Sequence, residues 1–214
     1  MNLTPLERRA LTALVIATAL TALLVIARML LVQTKGYGFL GWNVFLAWVP
    51  LVAALVLTRL TTRHWTAFAA VALGWFVFFP NAPYIVTDFL HLRTNRGAPL
   101  WLDVLVVASA AATGMLLALV SLEWVHNALD RRFARPRASW VVVLVVCGAA
   151  AFGVYLGRFQ RWNSWDLLTK PDELLSGAWA TLNEPRVVGF VPLFAVALFA
   201  SYGIYRLLAR PSAS

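Results

Sequence analysis

Residues 10–32 read ALTALVIATALTALLVIARMLLV, an apolar run with one charged residue, Arg28. A helix crossing a hydrocarbon core of about 30 Å needs roughly 20 predominantly apolar residues, so this run is long enough to span a bilayer. Five further stretches of the same character follow: 40–60, 65–80 with a broken extension to 92, 102–122, 139–156 and 187–208. The first run begins after Arg8 and Arg9, as a signal peptide would. However, it exceeds the apolar core of about 7–15 residues that such peptides carry and has no A-x-A-like site after it. It reads as a retained first span.

Composition supports the same reading. The chain of 214 residues is 61% hydrophobic and 13% charged, with a mean hydropathy of +0.76, whereas soluble domains devote about a quarter of their residues to charge. These values predict an all-α polytopic transmembrane helix bundle: six spans in a single integral membrane domain over 1–214, with short interfacial helices on its outer face. The net charge of +9 would suggest nucleic acid in a soluble protein, but here the basic residues are divided among membrane-flanking loops and form no single stripe. A lone cysteine, Cys147, inside an apolar run excludes a disulfide framework.

Basic residues of short loops stay on the cytoplasmic side. With the N-terminus inside, that side holds Arg8, Arg9, Arg59, Arg63, Arg131, Arg132, Arg135, Arg137, Arg206 and Arg210 against Glu7, Glu123 and Asp130. The outer side holds Lys35, Arg93, Arg96, Arg158, Arg161, Lys170 and Arg186 against six acids. Both termini are therefore expected in the cytoplasm, and the connection 123–138 carries most of the bias. His64 and His126 fall on the cytoplasmic side, leaving His91 as the outer imidazole, so zinc is disfavoured. A hard cation on Asp88, Asp103 and Asp166 is a minor alternative, and the sequence names no cofactor.

Two outer segments carry unusual chemistry. In the third run, Pro80 and Pro83 remove backbone donors and disfavour helix before them, predicting a break near Asn81. Non-helical backbone at membrane depth is tolerated where protein or a water-filled cavity satisfies it, which points to a site. A helix restarting at about Tyr84 places Tyr84, Asp88 and His91 on one face, where Asp88 could orient His91 as an acid/base pair. The alternative is an interfacial helix with a wet face.

The second segment, Gly157-Arg158-Phe159-Gln160-Arg161-Trp162-Asn163-Ser164-Trp165-Asp166, combines arginines suited to phosphate or carboxylate with tryptophans suited to the headgroup region. Its alternative is an aromatic belt with arginines paired to Asp88, Asp103 or Asp166. Behind it, Thr169-Lys170-Pro171-Asp172 predicts a capping box opening a surface helix with a Leu174, Leu175, Ala178, Trp179, Leu182 stripe. Arg28 is expected to snorkel outward. Gly153 and Gly157 form a GxxxG pair, and 108–114 is a small-residue face; both favour close helix packing, within the bundle or in a homo-oligomer.

These motifs, Phe79-Pro80-Asn81-Ala82-Pro83-Tyr84, Thr87-Asp88-Phe89 followed by His91-Leu92, and Gly157-Arg158 followed by Arg161 to Asp166, together with Asn43, Trp48, Trp101 and Asp103, resemble the domain-of-unknown-function family thirteen sixty-one. The resemblance implies a bacterial multi-pass integral membrane protein and supplies no activity; the expected location is the cell (plasma) membrane. Shared motifs that map to one face favour a site there.

The expected site is an outer-face pocket for an anionic lipid headgroup or a similar small-molecule ligand. Arg158 and Arg161 would hold the anion, Asn81, Asn163 and Tyr84 would orient it, Trp162 and Trp165 would line the rim, and Asp103 and Asp166 would complete the polar set. Asp88 and His91 would supply acid/base chemistry if the protein is an enzyme. Competing readings are a small transporter, disfavoured by the nearly uncharged middles of the spans, and an assembly partner in a membrane complex.

Overall fold

The computed structural model describes residues 3–33, 36–60, 64–93, 99–133 and 136–209. Lys35, Arg63, Arg96, Arg135 and Arg210, which entered the sorting of charge by side, lie outside the described residues, as does the side chain of Arg93. The described chain is all-α, and six of its helical stretches are long and apolar enough to cross a membrane.

Helix α1 (Pro5–Val32) starts ahead of the expected apolar run. Thr4 caps it by accepting from the Glu7 N–H (3.2 Å), while the Glu7 carboxylate accepts from the Thr4 N–H (2.8 Å), so two otherwise orphaned donors are satisfied reciprocally. Glu7 also pairs with Arg59 at the end of α2 (Phe39–Arg59), placing the start of α1 beside the end of α2. Pro50 inside α2 forces a local defect in the hydrogen-bond ladder. Its carbonyl accepts from Ser121 Oγ (3.1 Å), which in turn accepts from Trp75 Nε1 (2.8 Å). Three spans are thereby tied at mid-bundle.

The third span differs from expectation in an informative way. Helix α3 (Trp65–Phe78) ends at the prolines, but the chain does not leave helical dihedral space. It continues as the short α4 (Asn81–Tyr84) and then as a 3-10 helix over Ile85–Arg93. Prolines preset φ near −65°, so here they tighten the helix where an open break was expected. The reason is packing: an alanine Cβ at Gly114 of α5 (Leu100–Phe133) would sit 2.7 Å from the Ala82 carbonyl oxygen and 2.8 Å from Ile85 Cδ1. The small-residue face thus lets the broken element press against α5.

Helix α5 runs to Phe133, past the expected end near 122, and converts much of the predicted loop into helix. Its apolar stretch is 61% buried against 17% for α1 and α9 (Pro185–Ala209), so α5 is the central post and the other two are peripheral. Helix α6 (Pro136–Phe159) packs against α9. The connection between them folds as α7 (Asp166–Thr169) and α8 (Pro171–Thr181). The surface helix forms, but without the predicted capping box: Thr169 ends α7, its Oγ donates to the Trp165 carbonyl (3.3 Å), and Lys170 stands at the α8 N-cap without a side-chain capping bond. On α8, Leu175 and Trp179 remain exposed.

Candidate functional site

The end of the bundle opposite the chain termini holds two buried ion pairs and a cavity. A carboxylate out of water needs charge and hydrogen-bond partners, and Asp88, fully buried, has both. Arg158 at the end of α6 pairs with its Oδ1, and Asn43 of α2 donates to its Oδ2 (2.9 Å). The same guanidinium donates through Nε to Thr87 Oγ1 (2.7 Å) and lies 4.3 Å from the centre of the Tyr84 ring. Three elements, α2, the 3-10 helix and α6, are therefore joined at one carboxylate.

His91 sits at the edge of this cluster. Arg158 Nη1 approaches its Nδ1 at 3.5 Å, and because a guanidinium only donates, Nδ1 is the acceptor there. Asp88 Oδ1 lies 3.6 Å from the same nitrogen. The carboxylate expected to orient His91 is also held by Arg158 and Asn43, and the imidazole rests on the Phe39 ring at 4.9 Å.

The second pair corrects the expectation for Arg28. It does not snorkel: Arg28 Nε donates to Asp103 Oδ1 (3.0 Å), both side chains are 1% exposed, and the guanidinium lies 4.7 Å from the Tyr37 ring centre. An α5 carboxylate within reach makes pairing cheaper than stretching to the interface. Asp166 is occupied as well, accepting from the Asn163 N–H (2.7 Å). The three acids considered for a hard cation are thus spent separately, on Arg158, Arg28 and a loop N–H.

The cavity, about 360 Å³, lies between α2, α3 and α4 on one side and α6 with the 162–174 segment on the other. Its walls are apolar: Leu46, Phe76, Val77, Pro80, Ala149, Phe152, Leu156, Leu167 and Leu174. Asn43, Asn81, Tyr84, Asn163 and Ser164 supply polar atoms, Trp42 and Trp162 add indoles, and no lining residue is charged. Ser164 fixes the loop by donating to the Val77 carbonyl (3.1 Å) and accepting from Asn81 Nδ2 (2.9 Å). Arg161 reverses the chain after α6 with φ of 62°, a left-handed conformation that a side chain disfavours. The glycine pair serves this site: alanine Cβ atoms at Gly153 and Gly157 would meet Pro80 (2.8 Å) and Tyr84 (3.2 Å) of the same chain.

Of the residues singled out in the sequence, Asn81, Tyr84, Trp162 and Asn163 come together around the cavity. Asp88, His91 and Arg158 converge behind Tyr84 and line no part of it, and Asp103 belongs to the Arg28 pair. Arg161 is exposed, and Trp165 meets Trp42 edge-on at 6.5 Å. The sequence model of a family described as protein of unknown function, DUF1361, matches residues 42–204, more than half of the chain.

The chain belongs to the DUF1361 family.

No curated protein and no solved structure matches it. The DUF1361 match holds every cavity residue and the whole Asp88 cluster, whereas α1 precedes it, so the Arg28–Asp103 pair joins a residue outside the match to one inside.

Sequence reading missed a further cluster, near the terminus-bearing end, which the DUF1361 match covers except for Arg206. Tyr202 Oη donates to Glu123 Oε2 (2.8 Å) and accepts from Arg206 Nη1 (2.7 Å), which also reaches Glu123 (3.0 Å). Arg206 Nη2 binds Asp130 (3.2 Å), and His126 Nδ1 lies 2.7 Å from Tyr202 Oη. The signal was present in the spacing: Glu123, His126, Asn127 and Asp130 fall at i, i+3, i+4 and i+7, one face of a helix. The spacing is masked because hydropathy ends the span near 122, whereas the helix continues to Phe133.

Proposed function

We propose that this protein binds a lipid-like amphiphile in the cavity at the outer face of the plasma membrane, with both termini in the cytoplasm. The observation that carries the reading is the cavity's composition, apolar walls with a small set of polar atoms, the usual make-up of a small-molecule site, at the end of an apolar helix bundle. Ala149 lies ten residues before Phe159 on α6, so at 1.5 Å per residue the apolar part reaches about 15 Å below the end of that helix, deep enough for several carbons of an acyl chain. Trp42, Trp162 and Trp165 suit the headgroup region. Arg161, exposed beside Trp162, is the cation for an anionic head.

In this reading Asp88 and Arg158 are positioning residues. They hold α2, the 3-10 helix and α6 around Tyr84 and leave anion recognition to Arg161. The test is native mass spectrometry of the full chain released from mild detergent, comparing wild type with Ala149→Phe, which fills the deep end. Bound lipid on the wild type that is lost from a normally folded Ala149→Phe supports the proposal. Equal lipid on both overturns it.

A further inference from the structure

The cavity has a polar end and an apolar end. Asn43 at the start of α2 and Arg158 at the end of α6 meet on Asp88, so α2 runs opposite to α6 and to the third span. On α2 Asn43 comes before Leu46, on the third span Phe76 and Val77 come before Asn81 and Tyr84, and on α6 Ala149 and Phe152 come before Gly157. These orders agree once helix direction is considered. The side-chain polar atoms gather at the end opposite the chain termini, and the deep half is walled by apolar side chains. Ala149 lies near the middle of α6, at a depth where a bilayer offers no water to the backbone or to a polar opening.

Its place in the bundle is peripheral. None of the described residues around it belongs to the central α5; α3 packs on α2, while α6 packs on α9, α5 and α4, and the cavity occupies the seam between those two groups. Phe76 lines it and is 40% exposed. One turn deeper on the same helix faces stand Leu73 of α3 and Val145 of α6, 64% and 61% exposed. Side chains that border the cavity therefore also border the outside of the bundle, which at this depth is lipid. The end toward water is roofed by the 162–174 segment. An alanine Cβ at Gly177 of α8 would stand 3.4 Å from the Trp162 indole, so that ring packs directly on the α8 backbone, and Ser164 ties the loop to α3 through the Val77 carbonyl (3.1 Å). Of the roof residues that line the cavity, only Asn163 is exposed.

We infer that the cavity is loaded sideways, from the outer leaflet through the seam between α3 and α6, and takes one hydrocarbon chain of a lipid that otherwise stays in the bilayer. This rests on the lipid-binding reading above and adds the source and class of the ligand: a bilayer-resident lipid instead of an amphiphile delivered from water. A chain that moves from the leaflet into the cavity exchanges one apolar surrounding for another, whereas a path past the roof would expose it to water. The volume of about 360 Å³ stands at the lower end of the roughly 300–1,000 Å³ of small-molecule sites, which suits a single chain, and the open side leaves room for the rest of the lipid.

The test places a nitroxide label on Phe152→Cys in a Cys147→Ala background, with the full chain in vesicles of phosphatidylethanolamine and phosphatidylglycerol. Electron paramagnetic resonance then reads collision with molecular oxygen, which concentrates in hydrocarbon, and with a nickel chelate, which stays in water. Phe76→Cys gives an independent reading from the opposite wall. Leu193→Cys, on an exposed apolar position of α9, and Asn163→Cys are the lipid and water controls. Both cavity labels are expected to follow the Leu193 control, with oxygen collision exceeding chelate collision. Adding Leu73→Trp and Val145→Trp, which narrow the seam, is expected to lower oxygen collision at 152 and leave it unchanged at 193. Chelate collision exceeding oxygen collision at the two walls, exclusion of both colliders, or oxygen collision at 152 indifferent to the tryptophan pair each overturns sideways loading. In those cases, lipid that native mass spectrometry finds on the wild type and not on Ala149→Phe leaves the lipid site standing. A wild type without bound lipid overturns both.

Discussion

Replacing Arg28 by Met strands Asp103. In the native structure the pair is closed at 3.0 Å with each side chain 1% exposed, so the carboxylate has no water to replace the guanidinium. Removing one partner of a buried pair costs about 3–5 kcal/mol, mainly the penalty of the charge left behind. For a chain of this size each kcal/mol corresponds to roughly 2–4 °C in the unfolding midpoint, and the variant should therefore melt roughly 6–20 °C lower. The double variant Arg28→Met with Asp103→Leu removes both charges and should recover most of that loss, because well-packed apolar replacements of buried pairs are often neutral. Thermal unfolding in detergent, followed by loss of the monodisperse chromatographic peak, measures all three proteins. An Arg28→Met variant within about 2 °C of wild type would refute the reasoning and return Arg28 to a snorkelling role at the interface.

Gly114→Ala places a methyl group 2.7 Å from the Ala82 carbonyl and should destabilise by about 1–3 kcal/mol, whereas Gly148→Ala, with nothing within 4 Å, should be neutral or slightly stabilising; the same melting assay separates them. Tyr202→Phe removes the hydroxyl shared by Glu123, His126 and Arg206 and should cost about 1–3 kcal/mol. In a Cys147→Ala background, a cysteine at 161 should react with a membrane-impermeant maleimide added to intact cells, and one at 132 should react only after permeabilisation. The reverse pattern would invert the proposed orientation.

Charge scarcity made the spans legible, since any charged residue in an apolar run stands out. Residues 10–32 and 187–208 announce themselves by length and hydropathy. The site was legible in part for the same reason: Asn81, Tyr84, Trp162 and Asn163 stood out as polar or interfacial residues beside prolines and arginines, and they do line one cavity. Partner choice was not legible. Asp88 had several basic groups within plausible reach, and the approach of α6 to α4, permitted by the lack of a side chain at Gly157 against Tyr84, is what brings Arg158 to it beside His91.

The apolar wall was invisible for the opposite reason. Phe76, Ala149 and Phe152 look like any lipid-facing residues until the packing of α3 and α6 leaves a space between them. The 3-10 winding of Ile85–Arg93 is not legible, because proline spacing reports where a ladder is interrupted and not how tightly the chain then winds.

The claim that an acyl chain enters the cavity is tested most directly by photo-crosslinking with a lipid carrying a diazirine on its chain, followed by peptide mapping. Label concentrated on Leu46, Phe76 and Phe152, and suppressed by Ala149→Phe, is the expected result. Label that follows lipid exposure alone, on Leu23, Leu30, Leu193 and Val196, with none on the cavity wall, would contradict it.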